Sequence, residues 1–135
     1  KINKFEVENR IEEISSLAEK LEKLAAKWKL PQDLTMNINL VVEEALSNII
    51  FYAFKDDKPH KIQISISLDK RQITIVFKDK GSPFNPLEQE APDINLPAEE
   101  RPIGGLGIFL ISQLMDEMNY KRVNEQNVLT LIKNI

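Results

Sequence analysis

Glu44 and Asn48 stand four residues apart, a spacing that on a helix puts a carboxylate and an amide oxygen on one face. Oxygen donors of this kind suit magnesium, which is usually held by one or two protein groups together with waters and substrate phosphates. A solvated helix edge would carry the same residue types, and the adjacent Glu43 points elsewhere. Asp79 is more pointed, because it continues the alternating series Ile73, Ile75, Phe77 and therefore shares their inward phase just before Lys80 and Gly81. A core-facing charge needs a partner. That partner is either its own turn, as a plain Asp-x-Gly, or the amine of a ligand at a pocket rim, which Gly81 would let approach. All four glycines, Gly81, Gly104, Gly105 and Gly107, border one stretch of chain. Gly104-Gly105-Leu106-Gly107 leads into the apolar run Ile108 to Ile111, so a glycine-rich loop meets a helix start whose free N–H groups suit phosphate. A hinge with tight helix packing would use the same glycines. A Walker-type loop is excluded, since no Gly-Lys-Ser/Thr follows.

The elements that must hold these residues follow from hydrophobic spacing. Lys1 to Val7 is strand-like, and Asn9 followed by Glu12 reads as a capping box that starts a helix over about 10–29. Its stripe is Ile11, Ile14, Leu17, Ala18, Leu21, Leu24, Ala25 and Trp28, and Pro31 ends it. A second helix is predicted from Asp33 or Thr35 to about Phe54, burying Ile38, Val41, Val42, Ala45, Leu46, Ile49 and Ala53. Ile62, Ile64, Ile66 and Leu68 alternate with polar residues, and after Asp69-Lys70-Arg71 the alternation resumes at Ile73, which predicts an antiparallel hairpin. From Gly81 to Ile103 there is no period, and five of the seven prolines fall there. Loops beyond about 12–15 residues persist mainly as lids or binding loops. A third helix is predicted over about Leu106–Glu117, and Tyr120–Val123 with Val128–Ile132 as a closing strand pair. The order implies one α+β domain over residues 1–135: a two-layer sandwich of a mixed, largely antiparallel sheet covered on one face by three helices.

Composition narrows the function classes. With 135 residues, 42% hydrophobic and 29% charged, the chain is long enough to build a core unaided and unlike a disordered segment. Eighteen Lys and Arg against 21 Asp and Glu give a net charge of -3, which disfavours direct nucleic-acid binding. No apolar run is long enough for a membrane span, and no apolar leader opens the chain, so a cytoplasmic protein is expected. The absence of cysteine removes thiolate nucleophiles and Cys-type zinc sites, and the single histidine, His60, reads as a surface loop residue.

Three segments, Glu44-Ala45-Leu46-Ser47-Asn48, Asp79-Lys80-Gly81-Ser82-Pro83-Phe84-Asn85-Pro86 and Gly104-Gly105-Leu106-Gly107-Ile108, occur in the order of one family. Together they resemble the ATP-binding domain of the gyrase, histidine-kinase and MutL superfamily. Within it the chain is similar, over nearly its whole length, to the small anti-sigma factor serine/threonine kinases of bacterial partner-switching systems. The resemblance implies a histidine-kinase-like ATPase fold that uses ATP and Mg2+. It makes Glu44 the general base, Asn48 the magnesium ligand, and Asp79, with Gly81 beside it, the adenine-binding aspartate. Gly104, Gly105, Leu106 and Gly107 become the phosphate-side loop and residues 87 to 103 the ATP lid. Phe84, Tyr52, which stands where several relatives carry histidine, and Arg101, separated from the glycines by Pro102 and Ile103, are further candidate nucleotide contacts. Gln126-Asn127-Val128-Leu129-Thr130 lacks the glycine of the family's last-strand segment, and no nucleotide contact is assigned there. The implied reaction is γ-phosphoryl transfer to a serine or threonine of a STAS-type anti-anti-sigma protein. A sigma factor as second partner and a homodimer are also implied, with no nucleic acid or membrane bound directly. The alternative is a nucleotide-gated binding module without significant kinase activity, and a nucleotide-free scaffold is a third reading.

Overall fold

The computed structural model describes residues 1–88 and 105–135. Five strands, β1 (Ile2–Glu8), β2 (Lys61–Asp69), β3 (Gln72–Asp79), β4 (Glu117–Val123) and β5 (Gln126–Asn134), join three helices, α1 (Glu12–Lys27), α2 (Gln32–Tyr52) and α3 (Gly105–Leu114). The strands form one sheet in the order β1-β2-β3-β5-β4. Expected to be mixed and largely antiparallel, it is antiparallel at all four pairings. The reason lies in the connections. Two helices carry the chain away from the end of β1 and back, so β2 starts beside that end, with Glu8 opposite Lys61. After β3, the chain passes through α3 and enters β4 at the far end of the sheet, where Glu117 lies opposite Ile132, and β5 comes between β3 and β4.

The inward phase of each strand meets the helix stripes. Val7, Ile62, Ile64, Ile66, Ile73, Ile75, Phe77, Leu129 and Leu131 form one cluster with Leu17, Leu21, Val41, Leu46, Ile49 and Ile111. The same phase carries Asp79 and Asn127, directly opposite each other on β3 and β5, to one end of the core face.

Two boundaries differ from the sequence pattern. The capping box does not form: α1 starts at Glu12, preceded by Ile11 with no side-chain cap. Asn9 instead continues the β1–β2 ladder. Its N–H donates to the His60 carbonyl at 3.0 Å, its Oδ1 accepts the His60 N–H at 2.8 Å, and its Nδ2 donates to the Lys58 carbonyl at 3.3 Å. An asparagine bonds backbone across strands as readily as along a turn, and the nearby strand wins. At the other end α1 stops before Pro31 acts. Leu30 N–H reaches the Ala25 carbonyl at 2.9 Å and Lys29 N–H the Ala26 carbonyl at 3.1 Å, with Lys29 at φ 58°, the bonding of a Schellman motif. α3 is shorter than its apolar run suggested and β4 starts earlier, at Glu117. His60 is partly exposed as expected, yet its ring stacks on Phe54 with centroids 4.6 Å apart and its Nε2 lies 2.6 Å from Asp56 Oδ1. It thereby ties down the connection between α2 and β2.

The end of α2 is bolted to the exit of β3. Ser82 N–H donates to the Ala53 carbonyl at 2.7 Å, and a Cβ added at Gly81 would stand 2.5 Å from that same oxygen and 2.9 Å from Ala53 Cβ. Backbone, not a flexible side chain, blocks the space, so Gly81 is required by packing. Gly81→Ala is expected to lower stability by about 1–3 kcal/mol through overpacking, read as a lower urea midpoint. An unchanged midpoint would show that the α2 end yields.

Candidate functional site

Asp79 is only 3% exposed. Gly81 N–H reaches its Oδ1 at 2.8 Å, which is the Asp-x-Gly turn, and Asn127 Nδ2 donates to the same oxygen at 2.9 Å. Among the described residues no donor is recorded on Oδ2. The turn reading of this carboxylate therefore holds at Oδ1. Burial pushes the Asp79 carboxyl above its ordinary range, opposed by the hydrogen bonds from Asn127 and Gly81 and by the charge of Arg122.

Asn127, 4% exposed, is the residue that sequence reasoning missed. Besides Asp79 it donates to the Ser82 carbonyl at 2.8 Å. Its Oδ1 accepts from Phe84 N–H at 3.2 Å, from Arg122 Nη1 at 3.1 Å and from the Tyr120 hydroxyl. Arg122 Nη1 also donates to the Gly81 carbonyl at 2.8 Å. The signal was present: Asn127 stands in phase with Leu129 and Leu131, an inward polar residue on a core strand, just as Asp79 does.

Along α2, Glu44, Asn48 and Tyr52 recur every four residues on one face. Asn48 is 2% exposed, and its Nδ2 donates to the Glu44 carbonyl at 2.9 Å, which fixes the amide on its own helix. Glu44 is half-buried, and desolvation, reinforced by the neighbouring Glu43 charge, raises its carboxyl above the ordinary range. Its carboxylate lies over the first turn of α3, where a Cβ added at Gly107 would overlap Glu44 Oε2. Glycine at 107 therefore leaves room for the acid. The Tyr52 ring packs against Phe84, centroids 5.5 Å apart and tilted by 36°. Phe84 is thus held from two sides, by Tyr52 of α2 through its ring and by Asn127 of β5 through its N–H.

The fold accordingly brings Glu44, Asn48, Tyr52, Asp79, Gly81, Phe84 and Gly107 to adjoining positions, and Gly105 and Leu106 open α3. Arg101, Gly104 and nearly all of the expected lid lie outside the described residues, which include only its first two positions, Leu87 and Glu88, in a 3-10 turn. Chemically, one end of this wall carries a carboxylate that can accept from an N–H donor. The other offers a carboxylate of raised basicity one helical turn from a buried amide. Among the described residues no cluster of three His, Cys, Asp or Glu side chains could hold a metal by itself.

Residues 7–133 match the family model described as histidine kinase-like ATPase domain, and the chain belongs to that family. The serine/threonine-protein kinase BtrW of Bordetella bronchiseptica is 27% identical over 111 residues, 82% of this chain and 78% of that protein. The anti-sigma F factor of Anoxybacillus flavithermus is 27% identical over 99 residues, 73% and 68% of the two chains. Among solved structures, the histidine kinase domain of the blue-light activated histidine kinase from Erythrobacter litoralis superposes with a TM-score of 0.55 at 17% identity. That match covers 90% of this chain and 58% of the other, and it establishes the shared fold. Among the described residues no helix is long and apolar enough to cross a membrane.

Because burial raises the Asp79 carboxyl, its folded-state stability is fully present below the unfolded carboxylate range and is lost as pH rises through the folded pKa. Asp79→Asn keeps an acceptor at Oδ1 and removes the buried charge. The variant is expected to melt at or above the wild-type temperature at about pH 7, with the difference shrinking as the pH is lowered and wild-type Asp79 takes up its proton. Melting curves over falling pH test this, and a variant less stable at neutral pH than at acid pH, relative to wild type, contradicts it.

Proposed function

We propose that the chain is an ATP-dependent serine/threonine protein kinase of a bacterial partner-switching system, a transcription regulator that works in the cytoplasm. Its substrate is a serine or threonine of a STAS-type anti-anti-sigma protein. The observation that carries this reading is the seating of Glu44, a carboxylate of raised basicity, over the glycine turn of α3 and one helical turn from the buried Asn48. The family supplies ATP as the nucleotide, and the relatives named as a serine/threonine-protein kinase and an anti-sigma factor support the protein substrate and a sigma factor as second partner.

Phosphoryl transfer needs positioning and charge neutralisation more than covalent help. Asp79 accepts the adenine amine, while Tyr52 and Phe84 flank the nucleotide. Gly105, Leu106 and Gly107 meet the phosphates at the start of α3, and Gly104 and Arg101, outside the described residues, are further phosphate contacts by resemblance. Asn48 would hold Mg2+, an ion usually bound by one or two protein groups together with waters and substrate phosphates. When bound, the ion supplies neutralisation of the phosphate charge. Glu44 takes the proton of the acceptor hydroxyl as its oxygen bonds to the γ-phosphorus and the bond to the β,γ-bridging oxygen breaks, leaving ADP. A homodimer would present two such sites.

The anti-sigma name of one relative favours a second reading, in which ATP gates binding to a partner and transfer is negligible. Labelling separates the two. Purified protein, γ-labelled ATP and lysate of the source organism are expected to put label on a small serine-containing protein. Glu44→Ala is expected to keep ATP binding and to lose about 10²- to 10⁴-fold in transfer, and Asn48→Ala to lose transfer together with magnesium dependence. Unchanged phosphorylation by Glu44→Ala removes Glu44 from the role, and Mg-ATP binding with no label moves the protein to the gated module.

A further inference from the structure

Asn127 has both ends of its amide engaged, which determines its orientation. Oδ1 gathers Phe84 N–H and Arg122 Nη1, groups that can only donate, and the Tyr120 hydroxyl. Nδ2 faces two acceptors, Asp79 Oδ1 and the Ser82 carbonyl. A flipped amide would set donor against donor on one side and acceptor against acceptor on the other. Asp79 Oδ1 in turn receives two donors, so the carboxylate is pinned by one oxygen.

We propose that Asn127 is a positioning residue for base selectivity: by pinning Asp79 Oδ1 it presents Oδ2 as a fixed acceptor, which admits a 6-amino purine nucleotide and rejects a 6-oxo one. The inference rests on the nucleotide reading above and extends it to a segment in which no nucleotide contact was expected. A 6-amino group donates to a carboxylate oxygen, whereas a 6-oxo group sets a lone pair against it. A buried polar site discriminates strongly when the wrong ligand leaves its groups unpaired. The discrimination requires that Asp79 not swing or rotate to relieve the mismatch. Tyr120 and Arg122, from the edge strand β4, act through Asn127 to that end.

The test compares ATP with inosine triphosphate, which carries a 6-oxo group and an N1–H in place of the 6-amino group and the N1 lone pair, by calorimetric titration of the purified chain. Wild type is expected to prefer ATP. Asn127→Ala is expected to lose ATP affinity and to narrow the ATP-to-inosine-triphosphate preference by about tenfold or more, the scale of one hydrogen bond to a charged group. A purely structural role would weaken both nucleotides in parallel, and an unchanged ratio overturns the proposal. Should Asn127→Ala not fold, Tyr120→Phe, which removes one donor to Asn127 Oδ1 without touching Asp79, decides: a narrowed ratio supports the proposal and an unchanged ratio overturns it. Wild type that binds both nucleotides equally overturns it while leaving the kinase reading in place. Wild type that binds neither overturns the nucleotide reading itself and this inference with it.

Discussion

A carboxylate buried at the end of a core strand is costly unless hydrogen bonds replace its water, and among the described residues Asp79 meets that condition through Oδ1. The arrangement at this end of the molecule follows from supplying those bonds. Asn127 must lie opposite on β5, which fixes the β3–β5 register there, and the chain after Asp79 must turn at once so that Gly81 N–H can return to it. The turn then needs its own anchors. Asn127, Arg122 and the carbonyl of Ala53 provide them, so the satisfaction of one charge recruits β5, β4 and the end of α2.

That recruitment joins two halves of the site that are far apart in sequence. Glu44, Asn48 and Tyr52 belong to a helix that would form on its apolar stripe alone, whereas Asp79 and Phe84 belong to a strand and its exit. Gly81 against Ala53, and Tyr52 against Phe84, set the distance between them. Gly107 does the same on the α3 side by giving Glu44 space. Two of the glycines that look like ligand-approach positions in the sequence are therefore packing positions in the structure.

Much of this was legible before any coordinates. The 3.6-residue stripe of α2 placed Glu44 and Asn48 on one face, and the two-residue alternation of β3 put Asp79 inward, because burial enforces those periods strictly. The capping box at Asn9 misled because the same side chain had a better partner across the strands, at His60, which local spacing does not reveal. The wholly antiparallel sheet depends on where the connections return the chain, again a tertiary property. Asn127 lies in a segment where the sequence lacks a glycine and stands inward opposite Asp79, but the register that pairs the two is not written in either strand alone.

The proposed nucleotide site has its receiving end at Asp79 and its hydrogen-bonded turn. Titration of isotope-labelled protein with Mg-ATP, followed by amide resonances, tests it most directly. The account expects the largest shifts at the Gly81 and Phe84 backbone amides and the Asn127 side-chain amide, with Gly107 and its α3 neighbours responding at the phosphate end. Shifts that leave Gly81, Phe84 and Asn127 untouched, or no shifts at saturating Mg-ATP, would contradict it.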